Sequence, residues 1–321
     1  MEPSLKISVV ICTANRDASL ARTLESIVAA APPRRATWEV VVVNNGSTDD
    51  TDRVIERFRE RLPMQRIFEP TRGHSHARNA GVAAATGDYF LWTDDDVTVG
   101  VCWMRAYESA FERYPSAAFF GGPIHPRFAG TPPDWLTRGL SYVLRAYAGL
   151  DVSAEEIILD PGVHELPYGA NMATRAAEQR AFRYNPRLGR QPGPTMLSGE
   201  DTNMLRRLVG ACASGVWLPD AAVEHRIEPA RQTVGYLWQY YRGAGATQAV
   251  MAMMQGQKFG WRERVRMSSS ATWHEGYYVL GRLLARPDIW LQAITKSGQL
   301  RGRLLAHRRG LPADERETTV S

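Results

Sequence analysis

The sequence predicts an α/β protein: a mostly parallel sheet flanked by helices, with a helical extension at its C-terminal end. Three observations carry this. Short runs rich in β-branched apolar residues alternate with segments of helical period through the first third of the chain. The pattern turns irregular and proline-rich from Pro123 to Pro167, and from Thr233 onward it is helical and rich in Trp, Tyr and Met. Strands separated by helical patterns are βαβ units, and their right-handed crossovers build a parallel sheet.

Ile7-Ser8-Val9-Val10-Ile11-Cys12 reads as a buried strand. Asp17 is placed to cap the next helix, whose Leu20, Leu24, Ile27 and Val28 share one face until Pro32-Pro33 stops it. Glu39 to Val43 is a second buried strand. Gly46-Ser47-Thr48-Asp49 then turns the chain into a helix with Val54, Ile55, Phe58 and Leu62 inward. A third strand falls around Gln65 to Phe68, a close-packed helix of small residues over 77–85, and a fourth strand over 88–93. Helix Trp103 to Tyr114 and strand Ala117 to Phe120 follow. The length of the segment from Pro123 to Pro167 marks an insertion over a binding face, with an amphipathic stretch at Leu140 to Leu150. Val163 to Ala173 is extended, Ser198-Gly199-Glu200-Asp201 opens a helix with Leu205 and Leu208 inward, and Val216 to Leu218 is a strand. No internal repeat is visible. The tail after Arg301 is basic, then polar, and is expected to fray.

Of the 321 residues, 44% are hydrophobic and 23% charged, a balance that builds a core and excludes a disordered chain. A net charge of +5 suits anionic ligands or an anionic membrane surface and is too mild for a nucleic-acid-binding protein. Cys12, Cys102 and Cys212 are scattered and odd in number, which points to reduced thiols in the cytoplasm rather than a disulfide framework. The start is charged and reaches a strand at once, unlike a signal peptide, and no apolar run is long enough to span a bilayer.

The strongest local signal is Asp94-Asp95-Asp96 after the apolar run Tyr89 to Thr93. Carboxylates crowded at a strand end repel one another, and burying them costs several kcal/mol unless a cation joins them. Strand alternation sends Asp94 and Asp96 to one side and Asp95 to the other, and two hard oxygen ligands suit Mg²⁺ or Mn²⁺ carrying a phosphate. A solvated acidic loop is the competing reading. Ligands of open α/β sheets bind at the carboxyl ends of the strands, which here gathers Thr13-Ala14-Asn15-Arg16, Asn44-Asn45-Gly46-Ser47 and the aspartates. Turn chemistry accounts for Gly46 and Asp49 equally well. No Gly-x-Gly-x-x-Gly follows the first strand and no Gly-Lys-Ser/Thr loop occurs, so a dinucleotide-binding dehydrogenase or a P-loop enzyme would lack its phosphate cradle.

Ile7 to Arg16, Val43 to Asp49, Gly73-His74-Ser75-His76-Ala77-Arg78-Asn79-Ala80-Gly81 and Gly87 to Asp96 resemble, in order, the opening blocks of family 2 glycosyltransferases. Gly169 to Ala173, Gly199-Glu200-Asp201 and Val223-Glu224-His225 are similar to the family's acceptor-side blocks. The resemblance implies the Rossmann-like GT-A fold over residues 1–230, with a nucleotide-sugar half to 122, an acceptor-side half over 123–230, and a helical extension over 231–321. It implies an inverting transfer from a nucleotide-diphosphate sugar, commonly a UDP-sugar, with Mn²⁺ or Mg²⁺ as cofactor. The acceptor is a saccharide, a lipid-linked glycan or a small molecule.

By the same resemblance, Thr13, Ala14, Asn15 and Arg16 lie along the nucleoside, and Asn45 stands where many members carry an aspartate at the uracil edge. Its amide keeps a carbonyl acceptor for the uracil N–H. Arg78 is expected near the base or diphosphate, with a surface arginine as the alternative. Asp96 is the first metal ligand, Asp94 serves the ribose or a metal-bound water, and Asp95 lies between them. His225 completes the metal or diphosphate site, unless it is a structural histidine. Asp201 is the general base and Glu200 its neighbour, hydrogen-bonding the acceptor or raising the base's pKa. Gly169, Ala170 and Asn171 line the sugar site.

Rival readings accompany several of these. Ser198-x-x-Asp201 also fits a capping box. His74 and His76 are expected to face substrate or solvent. The aromatic stripe Tyr236, Trp238, Tyr240 and Tyr241 is expected to pack, while Trp135 and Trp217 suit stacking on sugar faces. Arg301-Gly302-Arg303 and His307-Arg308-Arg309 suit a peripheral contact with the inner membrane face, and a solvated helix end explains them equally well. Two other functions remain open: a sugar-nucleotide nucleotidyltransferase, which would need a Gly-rich basic loop after the first strand, and a non-catalytic nucleotide-sugar-binding module.

Overall fold

The computed structural model describes residues 5–191 and 196–310. The chain divides into two compact units. The first comprises the chain up to Arg127 with Ala148–Asn185 and Glu200–Arg226; the second comprises Phe128–Tyr147, Pro186–Gly199 and the chain from Ile227. The chain passes into the second unit for the last time between Arg226 and Ile227, and two earlier segments join the C-terminal helices.

In the first unit, β1 (Lys6–Thr13), α1 (Asp17–Ala29), β2 (Thr37–Asn44), α2 (Thr51–Phe58), β3 (Met64–Phe68), α3 (His74–Ala84) and β4 (Tyr89–Asp94) follow the predicted alternation. The short β5 (Val97–Val99), α4 (Trp103–Arg113), β6 (Phe119–Gly121) and β7 (Ile124–Phe128) come next. After α5 (Asp134–Val143), which belongs to the second unit, β8 (Ile157–Leu159), β9 (Asn171–Arg175), α6 (Ala176–Ala181), α7 (Glu200–Gly210), β10 (Gly215–Trp217) and β11 (Val223–Ile227) complete the set.

Eight strands form one sheet in the order β3-β2-β1-β4-β9-β6-β10-β8. The β1–β2, β1–β4, β2–β3 and β6–β10 pairs are parallel, and β9 and β8 run against their neighbours. The valine run Val40 to Val43 and Ile7, Val9, Val10 and Ile11 are essentially inaccessible. Burial on both faces explains why these strands read as continuous apolar runs rather than alternating ones. Parallel pairing sets Thr13 opposite Asn44 and Cys12 opposite Asp94, so all three strand ends open on one edge.

A second sheet, β5-β11-β7, sits beside this edge. Antiparallel pairing of β11 with β5 places His225 opposite Val97, directly after the aspartates. The extended reading of Val163 to Ala173 is shorter in the structure, where the strand begins at Asn171.

The second unit is helical: α5, a 3₁₀ turn at Leu144–Tyr147, α8 (Val234–Met254), α9 (Trp261–Leu283) and α10 (Pro287–Arg309). Leu136, Val143 and Tyr147 share a core with Leu237, Tyr241, Trp290 and Leu291, which explains why the 128–147 segment groups here. A Cβ at Gly245 would lie 2.0 Å from the Gln299 carbonyl, and one at Gly302 1.9 Å from that of Arg242, so α8 and α10 pack backbone to backbone. The basic stretch from Arg301 to Arg309 is helical rather than frayed, and the polar remainder of the tail lies outside the described residues. Among the described residues, no helix is long and apolar enough to cross a membrane.

Candidate active site

Two arginine-centred clusters occupy the strand-end edge. The first forms because β4 stops at Asp94 and the chain turns at Asp95 and Asp96 before β5. The expected alternation, with Asp94 and Asp96 on one side, therefore does not hold. Arg16 reaches both turn acids, Nη1 lying 3.0 Å from Asp95 Oδ1 and Nη2 2.9 Å from Asp96 Oδ2. Thr13 Oγ1 donates to Asp95 Oδ2 (2.7 Å). Burial pushes the Asp95 carboxyl up to about 6, with Arg16 pulling it down and the Asp96 charge pushing it up. From the other side, His225 Nε2 lies 3.3 Å from Asp96 Oδ2, and the Arg226 amide donates to the Asp96 carbonyl (2.9 Å). His225 is buried, and the β5–β11 register is what delivers it.

The second cluster surrounds Arg78, which is 2% exposed on α3. Its Nη1 donates to Asp201 Oδ1, its Nη2 reaches Asp94 Oδ1 (3.4 Å), and its guanidinium lies over the rings of Trp92 and Tyr184. The Gly169 amide donates to Asp201 Oδ2 (3.0 Å), and a Cβ on Gly169 would lie 2.1 Å from Arg78 Nη2. Both Asp201 oxygens are thus engaged with Arg78 and Gly169, which takes the carboxylate out of a capping-box role. His74, on the first turn of α3, sets Nδ1 2.8 Å from Glu200 Oε1. Of the substrate-facing and solvent-facing roles expected for it, this places His74 beside the Glu200–Asp201 pair.

Electrostatics separates the two neighbouring acids. Burial lifts Asp201 to about 6 against the pull of Arg78, and the Glu200 charge adds to the rise. Burial also works to raise Glu200, but the His74 hydrogen bond, its charge when protonated and Arg78 hold it down at about 2. Across both clusters, among the described residues, Asp94, Asp95, Asp96, Glu200 and Asp201 pair with the guanidinium groups of Arg16 and Arg78. Two guanidinium charges by themselves do not balance five carboxylates.

Several predicted site residues are scaffold. Asn45 gives its amide hydrogens to the Glu69 and Thr71 carbonyls (2.9 and 2.7 Å) and accepts from the Gly73 amide (2.9 Å). It pins the loop entering α3 rather than offering a free edge to a base. Asn171 is fully buried: its oxygen accepts from Trp103 Nε1 and Tyr107, and its nitrogen donates to the Pro123 and Ala221 carbonyls. Trp217 is likewise inaccessible, its Nε1 bonded to the Ser153 carbonyl (2.8 Å), so no sugar stacks on it. The Ala170 carbonyl accepts from Thr93 (3.2 Å). Asn15 adopts φ 55°, and its side-chain oxygen holds the Thr48 amide (2.7 Å); half-buried Ala14 lies between it and Thr13.

Tyr184 was not legible in the sequence. Its hydroxyl lies 3.4 Å from Arg78 Nη1, and Asn79 clasps its backbone through two bonds, accepting from the amide (3.0 Å) and donating to the carbonyl (2.9 Å). The motif residue Asn79 was the available clue, because an amide beside Arg78 needs backbone partners. Among the described residues, no group of three or more His, Cys, Asp or Glu is arranged to hold a metal ion. Of the predicted trio, Asp96 and His225 are together, whereas Asp94 turns to Arg78.

The family described as "Glycosyl transferase family 2" matches residues 8–163. The chain is 28% identical over 239 residues to the succinoglycan biosynthesis protein ExoM of Rhizobium meliloti (strain 1021), covering 73% of this chain and 71% of that protein. Its fold is similar to that of a mannosyltransferase from Pyrobaculum calidifontis in complex with GDP-Man and Mn²⁺ (TM-score 0.59, 16% identity, 96% of this chain and 88% of the other). It is also similar to that of S. aureus TarS in complex with UDP (TM-score 0.52, 15% identity, 95% and 92%). The strand order and the ordered motifs agree with these likenesses: residues 8–163 carry the pattern of glycosyltransferase family 2, and the protein is a glycosyltransferase of GT-A fold.

Proposed function

We propose that the protein moves a sugar from a nucleotide-diphosphate donor, a UDP-sugar in the first instance, to an acceptor hydroxyl with inversion. The observation that carries this is the excess of carboxylates over guanidinium groups at the strand-end edge, with Asp201 mostly buried and shifted toward neutrality. An anionic diphosphate enters such an edge only with a cation. The donor set fits one: Asp96 Oδ2 and His225 Nε2 are neighbouring oxygen and nitrogen donors, and ligand oxygens and water would complete the shell. Asp96 and His225 would hold Mn²⁺ or Mg²⁺, which supplies positive charge to the departing diphosphate.

The chain's own residues do the rest. Arg16 keeps Asp95 and Asp96 from repelling each other, and Thr13 fixes Asp95. Asp201 accepts the proton of the acceptor hydroxyl as the new C1–O bond forms. The C1–O bond to the diphosphate breaks, and the nucleoside diphosphate leaves with the electron pair. A carboxyl near 6 is ionised at neutral pH and still basic enough to take that proton. Arg78 and the Gly169 amide fix its direction. The nucleotides in the neighbours' complexes, UDP in one and GDP-Man in another, define the panel to test. Three free thiols and a nucleotide-sugar donor fit a cytoplasmic site of action.

The test is nucleoside-diphosphate release from UDP-, GDP- and dTDP-sugars with and without Mn²⁺, in the native chain and in Asp201→Asn. Release that needs Mn²⁺ and Asp201 supports the reading. Pyrophosphate production would replace it with nucleotidyl transfer, and donor binding without turnover would replace it with a binding module.

A further inference from the structure

Among the described residues, most of the large exposed apolar side chains lie on α9. Trp261, Val265, Trp273, Tyr277, Leu280 and Leu283 are all exposed, Trp273 by 66% and Leu283 by 79%. At helical spacing they fall within an arc of about 160°. Met267, Ala271 and Gly281 are buried on the opposite side. Gly276 lies inside the exposed arc with open space above it, so nothing interrupts the surface between Trp273 and Leu280. Six large side chains on one arc are more than scattered surface apolarity, and a surface of this kind is made to be covered.

The charge around this arc selects the cover. From Lys258 to Gly310 the sequence holds 11 Lys and Arg against 3 Asp and Glu, a net +8 in a chain whose total is +5. The rest of the protein is therefore net acidic, and the positive charge is concentrated on the segment that carries the apolar face. Arg262 and Arg266 are exposed on the arc itself, whereas Glu263 and Glu275 sit on the other half of the helix. Arg301 and Arg303, the tail residues that first suggested a membrane contact, are engaged instead: Arg301 bonds Glu275 (2.8 Å) and Arg303 bonds Gln248 (2.6 Å).

We propose that the exposed face of α9 is an interfacial docking surface for an anionic lipid bilayer. Its aromatic and leucine side chains would enter the headgroup boundary, and its arginines would meet lipid phosphates. The composition is that of a helix lying in the interface plane, apolar and aromatic on one face with basic residues beside it. It does not cross: no described helix is apolar enough to do so. A second copy of the chain is disfavoured as the cover because a two-fold contact would press the same arginine-bearing face against itself. This inference is independent of the reaction proposed above.

The test is flotation of the full chain with vesicles containing roughly one third phosphatidylglycerol, against pure phosphatidylcholine vesicles, at low and high salt. The expected result is binding to the anionic vesicles that weakens with salt. It should fall by about tenfold or more in both Leu280→Glu/Leu283→Glu and Arg262→Glu/Arg266→Glu. These positions are exposed, so a thermal melt should show both variants folded, and Mn²⁺-dependent nucleotide release in solution should match the native chain. Absence of vesicle binding would overturn the proposal, as would equal binding by the variants. Sedimentation showing a dimer that Leu280→Glu/Leu283→Glu dissolves, without vesicle binding, would assign the face to a second copy instead. Failure of the native chain to release nucleotide would refute the proposed reaction and leave the flotation result untouched.

Discussion

His74 Nδ1 lies 2.8 Å from Oε1 of Glu200, the residue immediately before the proposed base. This contact joins the first turn of α3 to the first turn of α7, segments 126 residues apart in sequence. It is the strongest of the interactions that hold Glu200 down at about 2 against its burial, while burial lifts the adjacent Asp201 to about 6.

Replacing His74 by Ala should expose the linkage. Glu200 has a folded pKa below its ordinary 4.5, so its contribution to stability is fully present above about 4.5 and is lost as pH falls toward 2. In His74→Ala the folded pKa should move back toward 4.5, so the window should narrow and less stability be lost across it, and stability at pH 7 should drop by about 1–2 kcal/mol, a charge-assisted hydrogen bond at a partly exposed site. Urea unfolding across pH 3–7 checks this. His74→Gln, which retains a donor, should recover part of the difference.

Asp201 has the opposite sign. Its folded pKa of about 6 exceeds the ordinary 3.8, so the folded state holds the proton more tightly. Its ionisation opposes folding above about 6, and that opposition is relieved as pH falls toward 3.8. Activity runs the other way: the base works only when ionised, so kcat/KM should decline below about pH 6. Asp201→Asn should lower kcat by about 10²–10⁴-fold while leaving donor binding measurable by calorimetry.

Arg16 is the group that makes Asp95 and Asp96 compatible. Arg16→Ala leaves two crowded, buried carboxylates and should cost about 2–3 kcal/mol. This is below the 3–5 kcal/mol of a fully buried pair because the Arg16 side chain is 33% exposed. Arg16→Lys should recover only part, since one ammonium cannot match the two-pronged contact with both acids. Chemical denaturation of the three proteins measures the order.

Chelation should lower nucleotide release, and added Mn²⁺ should restore it. His225→Ala should raise the Mn²⁺ concentration needed by at least about 10–100-fold, the loss that even outer-shell partners cause. Manganese titration by calorimetry with UDP present gives the number. An unchanged titration would remove His225 from the metal set.

Gly169→Ala tests the Arg78–Asp201 contact without altering a charge. The added Cβ would lie 2.1 Å from Arg78 Nη2 and must displace the guanidinium. Turnover should fall by about 10²-fold or more through a misaligned base. Gly276→Ala, on an open helix surface, should instead add about 0.5–1 kcal/mol of stability. Kinetics and thermal melts on both variants separate the outcomes.

The sequence by itself determined the parallel half of the sheet, the strand-end location of the candidate site and the resemblance to the glycosyltransferase family. Those depend on local signals: valine-rich runs that must be buried on both faces, helical spacing, and motifs in a fixed order. It also named Arg16, Arg78, the three aspartates, Asp201 and His225, because residue type and motif position are local properties. Only the tertiary structure decided which of them meet. The strand stops one residue into the triplet, so Asp95 and Asp96 share Arg16 while Asp94 goes to Arg78. Asn45, Asn171 and Trp217 look like ligand contacts as letters, yet buried backbone groups and indole nitrogens need partners, and these side chains are spent meeting or making that demand. The His74–Glu200 contact, Tyr184 and the open face of α9 became visible only when long-range packing fixed which surfaces are covered. That outcome depends on all the chain's contacts at once and on no local pattern.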